Sequence, residues 1–254
     1  MRAPVVPLPP AFLARPIAHR ALWGPGRPEN SLSAVRAAVE AGYGIEIDVQ
    51  PSADGAAVVF HDEDLSRLTE AQGSVAARTA ADLAALPLRG GTGEGIPSLS
   101  AVLAAVAGRV PLLIEIKDQT GRMDETDGLL EDAVARALHG YDGPVAVMSF
   151  NPHAVARMAE LLPHVPRGLT TSRYDPRDWA PLDPAICDRL RDIPDHDRTG
   201  SSFVSHEARD LLRPRLRELR RQGTAILTWT IRSPLQERLA RLIADNVTFE
   251  GYRA

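Results

Sequence analysis

Short runs of β-type residues alternate with segments of helical periodicity along almost the whole chain. The runs span residues 16–20, 44–49, 111–117, 145–150, 167–171, 202–205, 225–231 and 247–250. Alternation of this kind predicts parallel strands that are joined by crossover helices.

The segments between these runs predict the helices. They lie near residues 31–41, 98–107, 127–139, 152–162, 181–191, 208–222 and 234–245. Eight strands connected in this way close a barrel, so the sequence predicts an α/β protein with a (β/α)8 TIM barrel. The alternative is a doubly wound open sheet, which the absence of a glycine-rich phosphate loop of the Rossmann or P-loop type disfavours.

One further run does not fit the alternation. Residues 56–61 follow the second strand too closely for a parallel crossover, so the pair must form an antiparallel hairpin. Asp54-Gly55 is a strong signal for a two-residue turn, and a turn there places Asp48 opposite His61. Residues 62–97 then form a small insertion before the next barrel helix.

Composition and charge agree with one enzyme-sized domain. The chain has 254 residues, 44% of them apolar, and no composition break marks a boundary, so we expect a single domain over 1–254. The net charge is −4 without a block of like charge, which argues against binding to nucleic acid or to a membrane surface. The arginine-rich stretch 209–221 carries leucines at helical spacing and is interpreted as a solvated helix face.

Cysteine usage and targeting signals indicate a cytoplasmic protein. Cys187 is the single cysteine, which excludes a disulfide framework and a cysteine zinc site and fits a reducing compartment. Residues 1–13 are rich in proline and make a poor signal peptide. No stretch approaches the roughly 18–20 apolar residues that a membrane span needs, so we expect no integral membrane segment.

Carboxylates cluster at the ends of two predicted strands. Period-two alternation puts Glu46 and Asp48 on one face of the second strand, and Glu115 and Lys117 on one face of the next. In a barrel these ends meet at the active-site mouth, where three ionised carboxylates need shared protons or a cation. Oxygen ligands suit Mg²⁺ or Ca²⁺ better than zinc, and the alternative for each carboxylate is an ordinary salt bridge with an arginine.

Two histidines are the candidate acid and base. His19 ends the first strand, and His61 lies opposite a predicted metal ligand. Imidazole titrates near neutrality, so one ring can accept a proton while the other donates one. His206 follows the sixth strand and is an intermediate candidate. The remaining histidines are interpreted as structural, namely His139, His153, His164 and His196.

Two basic residues complete the candidate site. Lys117 is the one lysine among 29 basic residues, and its compact ammonium can approach a metal-bound oxygen. Arg20 can pair with a phosphate through two hydrogen bonds. A divalent cation, two histidines, a lysine and an arginine in one mouth indicate an anionic substrate, for which phosphate esters fit best.

The motifs, in this order and spacing, resemble the glycerophosphodiester phosphodiesterase family over nearly the whole chain. The N-terminal ones are His19-Arg20, Pro28-Glu29-Asn30-Ser31-Leu32, Ile45-Glu46-Ile47-Asp48-Val49, Val58-Val59-Phe60-His61-Asp62 and Leu65-Ser66-Arg67-Leu68-Thr69. The later ones are Ile96-Pro97-Ser98-Leu99, Ile114-Glu115-Ile116-Lys117, Met148-Ser149-Phe150-Asn151-Pro152 and Thr228-Trp229-Thr230-Ile231.

The resemblance implies a phospholipase C-like phosphodiesterase barrel with a small insertion, and a role for each candidate. Glu46, Asp48 and Glu115 would bind one divalent cation, and His19 and His61 would form the acid–base pair. Arg20 and Lys117 would contact the phosphate, and Trp229 would line the alcohol side. The implied reaction converts a small-molecule glycerophosphodiester and water to sn-glycerol 3-phosphate and an alcohol.

The sequence departs from the family pattern in two places. The family usually has His-Arg-Gly, whereas Ala21 follows Arg20 here, and the last strand commonly ends in Thr-Asp, where Thr248-Phe249-Glu250-Gly251 stands. Three other functions are considered. A lysophospholipase D-type enzyme would need an apolar entrance, for which Leu22-Trp23 is a candidate. A silent binding barrel does not explain the complete residue set, and a Mg²⁺-dependent lyase or aldolase does not explain two histidines beside the carboxylates.

Overall fold

Eight parallel strands close into a barrel in the computed structural model of the protein, which describes residues 3–254. The strands, including one antiparallel hairpin strand, are β1 Ile17–Ala18, β2 Gly44–Pro51, β3 Ala57–Val59, β4 Leu112–Ile116, β5 Val145–Ser149, β6 Arg167–Thr171, β7 Phe203–Glu207, β8 Ala225–Ile231 and β9 Asn246–Phe249. The short β1 closes the barrel because it pairs in parallel with both β2 and β9. The predicted (β/α)8 barrel is therefore confirmed.

Helices surround the barrel between its strands. They are α1 Ala11–Ala14, α2 Leu32–Ala41, α3 Ala80–Ala84, α4 Leu99–Val106, α5 Leu129–Leu138, α6 Pro152–Leu161, α7 Pro184–Arg191, α8 His196–Thr199, α9 Pro214–Arg221 and α10 Pro234–Ala240, and short 3₁₀ turns cover Leu65–Arg67, Val75–Ala77 and Ala208–Asp210. Local caps define where several begin: the hydroxyls of Ser31 and Ser98 accept hydrogen bonds from the amides of Ala34 and Ala101.

The predicted helix at 208–222 is divided in two, and that expectation is corrected. A 3₁₀ turn precedes α9, which begins at Pro214. Proline has no amide hydrogen and forces the preceding residue, Arg213, into an extended conformation with ψ of 130°, so the helix must start anew there. Within α9 Leu216 and Leu219 are buried and the arginines face outward, as the spacing of the leucines predicts.

The barrel interior is filled by apolar side chains below the carboxyl ends of the strands. One buried cluster consists of Phe12, Ile17, Leu113, Ala146, Met148, Phe203 and Leu227. Leu113 lies two residues before Glu115 on β4, so the cluster and the carboxylate share the interior face of the strand. The packing is close: a Cβ atom on Gly168 would lie 2.4 Å from the ring of Phe203.

The hairpin exists, but its register differs by one residue from the predicted one. Val49 pairs with Val59 and Gln50 with Val58, and the amide of Phe60 donates to the carbonyl of Asp48. Asp48 is thus opposite Phe60 and not His61. The amide of Ser52 donates to the carbonyl of Ala56 at 2.9 Å, so residues 53–55 form a three-residue loop in place of the predicted two-residue turn, and Gly55 ends it with a φ of +74°.

Residues 62–97 pack against the hairpin around a small apolar cluster. This cluster contains Val58, Phe60, Leu65, Val75, Leu83, Leu88 and Ile96. Val58 and Phe60 belong to the hairpin, so the cluster joins the insertion to the segment that leads to His61. Within residues 3–254, none of the helices has the length and apolar character to cross a bilayer.

Candidate active site

The eight predicted site residues all line one cavity of about 170 Å³ at the carboxyl ends of the strands. They are His19, Arg20, Glu46, Asp48, His61, Glu115, Lys117 and Trp229. The barrel therefore brings together groups that are spread over more than 200 residues of sequence.

Three buried carboxylates line one side of this cavity. Glu46 and Asp48 project from β2 and Glu115 from β4, and none of the three is more than 6% exposed. Asp48 and Glu115 are direct neighbours in the parallel pairing of the two strands. One oxygen of each carboxylate lies within 4.8 Å of the others.

The charge of this carboxylate cluster is only partly compensated. Burial, and then the negative charges of Asp48 and Glu115, raise the pKa of Glu46 well above its usual range. The Nζ atom of Lys117 lies 2.6 Å from Asp48 Oδ1 and 2.5 Å from Glu115 Oε1. Burial opposes ionisation of Asp48 too, but the interactions with Lys117, His61 and Arg20 outweigh burial and lower the pKa of Asp48.

A divalent cation fits this donor set. The three side chains offer only oxygen ligands, which hard cations prefer. Positive charge among them would also relieve the repulsion that raises the pKa of Glu46. Glu46, Asp48 and Glu115 are thus the residues that could hold a metal ion.

His19 is held by a partner that the sequence analysis did not single out. Its Nδ1 atom lies 2.6 Å from Oε2 of Glu250, just beyond β9. Burial disfavours the charged carboxylate, but the hydrogen bond and charge of His19 outweigh burial and lower the pKa of Glu250. An ionised carboxylate can only accept, so Nδ1 carries the proton and Nε2 is left for a substrate.

His61 is held in the same way, at the start of an ion-pair chain. Its Nδ1 atom lies 2.7 Å from Oδ1 of Asp62. Arg67 binds Asp62 and donates to Oε1 of Glu29 at 2.7 Å. The same Glu29 oxygen accepts from Nη1 of Arg20 at 2.7 Å, so the chain ends at a predicted phosphate ligand.

The loop after β1 wraps around the carboxylates. The backbone amide of Arg20 donates to Glu46 Oε2 at 2.8 Å, and Asn30 Nδ2 donates to Asp48 Oδ2 at 2.9 Å. Arg20 and Ala21 have φ values of 54° and 65°. This is the left-handed region that glycine adopts most readily, which accounts for the family's glycine at the place of Ala21.

Aromatic side chains form the opposite wall. Nε1 of Trp229 donates to the carbonyl of Ser205 at 3.0 Å, which satisfies the indole N–H within the protein. The rings of Trp229 and Phe150 are 5.6 Å apart and nearly perpendicular. In the loop after β1, Leu22 packs against the core, and Trp23 is left 39% exposed.

His206 lies outside the cavity. Its Nδ1 is 2.7 Å from Oγ1 of Thr171 and its Nε2 is 3.2 Å from Oδ2 of Asp210. Burial disfavours the imidazolium and lowers the pKa of His206 to about 4. Its hydrogen bonds and its depressed pKa are those of a neutral structural histidine.

Comparisons with known proteins agree on one family. The model of the glycerophosphoryl diester phosphodiesterase family matches residues 19–249. YhdW of Bacillus subtilis is 29% identical over 239 residues, which cover 91% of this chain and 90% of that protein. YqiK of the same organism is 33% identical over 162 residues, and the match spans 61% of this chain and 65% of YqiK.

A solved structure is similar in fold and sequence. The Oleispira antarctica phosphodiesterase, determined in complex with its product sn-glycerol-3-phosphate, superposes with a TM-score of 0.76 at 26% identity. The superposition covers 94% of each chain.

Proposed function

The chain belongs to the glycerophosphoryl diester phosphodiesterase family, and we propose that it hydrolyses glycerophosphodiesters to sn-glycerol 3-phosphate and an alcohol with His19 and His61 as the acid–base pair and with one divalent cation. The observation that carries the proposal is the cavity in which both imidazoles, three buried carboxylates, Lys117 and Arg20 converge. The product bound by the Oleispira enzyme supports the same class of substrate.

The two histidines suit opposite proton transfers. Each Nδ1 is tied to a carboxylate, at 2.6 Å for His19 and 2.7 Å for His61, so each Nε2 can face the substrate. One Nε2 takes the proton of the attacking hydroxyl as its oxygen bonds to phosphorus. The other ring is protonated beforehand. It gives its proton to the oxygen of the leaving alcohol as the bond between that oxygen and phosphorus breaks. The attacking hydroxyl belongs to water, or to the substrate's glycerol, in which case a cyclic phosphate forms first and water opens it.

The remaining residues neutralise and orient the phosphate. Glu46, Asp48 and Glu115 would hold Mg²⁺ or Ca²⁺, which would supply positive charge against the phosphate oxygens. Arg20 and Lys117 add positive charge at the same cavity, and the carboxylate partners of both hold these long side chains in place. Trp229 supplies an apolar surface for the alcohol side. The proposal includes a cytoplasmic location, supported by the single, unpaired Cys187.

The test is release of glycerol 3-phosphate from glycerophosphocholine, first with EDTA and then with Mg²⁺ or Ca²⁺ restored. We expect release only with the cation. Folded protein that is silent with both cations, or that cleaves lysophospholipids alone, would contradict the proposal.

Variants assign the roles. His19→Ala and His61→Ala should each lose activity by about 100-fold or more while the barrel stays folded by circular dichroism. Glu115→Ala should lose the activity that the cation restores. His164→Ala, on an exposed residue outside the cavity, is the matched control and should keep full activity. Retained, still metal-dependent turnover in Glu115→Ala would make this residue an ion-pair partner only.

A further inference from the structure

A second cavity of about 480 Å³ adjoins the catalytic one. The two share four lining residues, His61, Glu115, Lys117 and Phe150. Phe150 packs against Trp229 in the catalytic cavity and against Trp179 in the second one, so an alcohol that lies beside Trp229 can extend past Phe150 into the second cavity. Away from the catalytic cavity it is lined by Met123, Trp179, Pro181 and Leu182, with Phe150 at the boundary, and we call this second cavity the aromatic pocket.

The rings of this pocket are fixed in place. Phe150 and Trp179 meet edge to face, with ring centroids 4.9 Å apart. Tyr174 packs against Trp179 from the buried side, also at 4.9 Å. Nε1 of Trp179 donates to Oγ of Ser172 at 3.1 Å, so the polar edge of the indole is satisfied inside the protein. The ring is thus presented to the pocket as a stationary π surface.

Two carboxylates, Asp118 and Glu63, lie beside the rings. Asp118 accepts hydrogen bonds from neutral donors, among them Oγ1 of Thr120 at 2.8 Å and Nδ2 of Asn151 at 2.8 Å. Glu63 is exposed on the opposite rim. Over residues 3–254, neither carboxylate has a basic side chain within 4.0 Å.

The lysine that borders the pocket is already paired with two other carboxylates. Lys117 lies between Asp48 and Glu115, at 2.6 and 2.5 Å. The pocket therefore combines π faces with uncompensated negative charge, which is the chemistry that recognises an alkylammonium group. A neutral polyol could donate to the carboxylates, but Met123, Pro181 and Leu182 beside the rings offer it no hydrogen-bonding side chain, whereas these apolar groups suit the methyl groups of a quaternary ammonium.

We infer that the aromatic pocket receives the quaternary ammonium of a choline-type leaving alcohol. The preferred substrates are then glycerophosphodiesters of cationic alcohols, with glycerophosphocholine above glycerophosphoglycerol. This inference rests on the proposed function and narrows its substrate class.

The test compares kcat/KM for glycerophosphocholine and glycerophosphoglycerol in the wild type and in three variants. The wild type should prefer the choline ester. Trp179→Ala should lower kcat/KM for the choline ester about tenfold and leave the glycerol ester nearly unchanged, whereas Trp179→Phe keeps a π face and should retain most of the preference. Trp23→Ala, on the exposed tryptophan of another loop, is the matched control and should change neither value.

Each outcome separates the inference from the proposed function. Equal losses on both esters in Trp179→Ala, or a wild type that prefers the glycerol ester, would overturn the inference and leave the diesterase intact. A wild type that releases glycerol 3-phosphate from neither ester would overturn both. Retained turnover of the glycerol ester by Trp179→Ala also shows that the variant is folded.

Discussion

Each of the two proposed catalytic histidines has one carboxylate within hydrogen-bond distance of its Nδ1 atom. For His19 that carboxylate is Glu250, which also lies 2.8 Å from Nε of Arg232. A carboxylate at Nδ1 selects the tautomer and stabilises the protonated ring during turnover. Glu250 is therefore a positioning residue that acts through His19.

Substitution of Glu250 tests this role. Glu250→Ala should lower kcat about 100-fold with KM little changed, since the substrate contacts remain. Glu250→Gln keeps an acceptor for Nδ1 and should recover about tenfold of that loss. The measurement is kcat and KM on one diester for both variants. Wild-type kcat in Glu250→Ala would show that His19 is oriented without it.

Individual site residues could be predicted from the sequence only where a local pattern reveals them. Glu46, Asp48, Glu115 and Lys117 follow from strand alternation, so the sequence places them on interior faces. Glu250 carries no such signal because its partner is 231 residues away. The pairing exists only because β1 and β9 are neighbours in the closed barrel.

At the scale of elements, the insertion after the hairpin is connected to the catalytic centre by charge. Arg67 lies in the first 3₁₀ turn of the insertion and joins Asp62 to Glu29, and through them His61 to Arg20. The insertion thus contributes to the positions of His61 and of Arg20, the proposed phosphate ligand.

Arg67→Ala should therefore lower kcat about tenfold with little change in thermal stability, because its side chain is 44% exposed. Arg89→Ala is the matched control: that side chain is 46% exposed in the same insertion and pairs with the exposed Glu70. We expect it to retain wild-type activity. Equal activity of the two variants would show that the ion-pair chain through Arg67 does not affect catalysis.

The hairpin shows where element prediction stops. Asp54-Gly55 correctly indicates a turn, but the same dipeptide suits loops of two and of three residues. A loop longer by one residue shifts the register by one, so Asp48 pairs with Phe60. His61 nevertheless reaches the cavity, because β3 ends at Val59 and the chain bends before it.

Packing inside the barrel gives a second test at this scale. Gly168→Ala places a methyl group against Phe203 and should destabilise the protein by roughly 1–3 kcal/mol, measured by urea unfolding. Gly24→Ala, whose Cβ would meet only a flexible arginine at 3.5 Å, should cost much less. The cost of Gly168→Ala should shrink in a Phe203→Leu background. An unchanged cost there would locate the strain elsewhere.

For the whole molecule, the buried His206 makes stability depend on pH. Its folded pKa is about 4, below its ordinary value near 6.5, so between these values the unfolded chain binds a proton that the folded protein does not. The contribution of the neutral His206 to the free energy of unfolding should thus be complete above pH 6.5, and the free energy of unfolding should fall as the pH drops towards 4. The contribution over this window is at most about 3.4 kcal/mol.

Urea unfolding between pH 4.5 and 7.5 measures this dependence. His206→Gln should be less stable at neutral pH but should show a shallower loss of stability on acidification. His164→Gln, on an exposed histidine, should keep the wild-type slope. The same slope in His206→Gln would assign the pH dependence to other groups.

The barrel as a whole was predictable because alternation of strand and helix patterns is a property of each segment by itself. The division of the predicted helix at 208–222 was less so, since its arginines and leucines continue the helical spacing past Pro214. Interior packing, such as Gly168 against Phe203, depends on strands that are adjacent only in the folded molecule.

The closure of the barrel by β1 and β9 has a consequence for biosynthesis. A ribosome that has made β4 has already delivered the acidic cluster, yet the chain lacks the glutamate that orients its first histidine. Hydrolysis must wait until translation has supplied the final strand and it has docked beside the first. A protease that removes β9 would then silence the enzyme while sparing the three carboxylates that we propose as ligands of the cation.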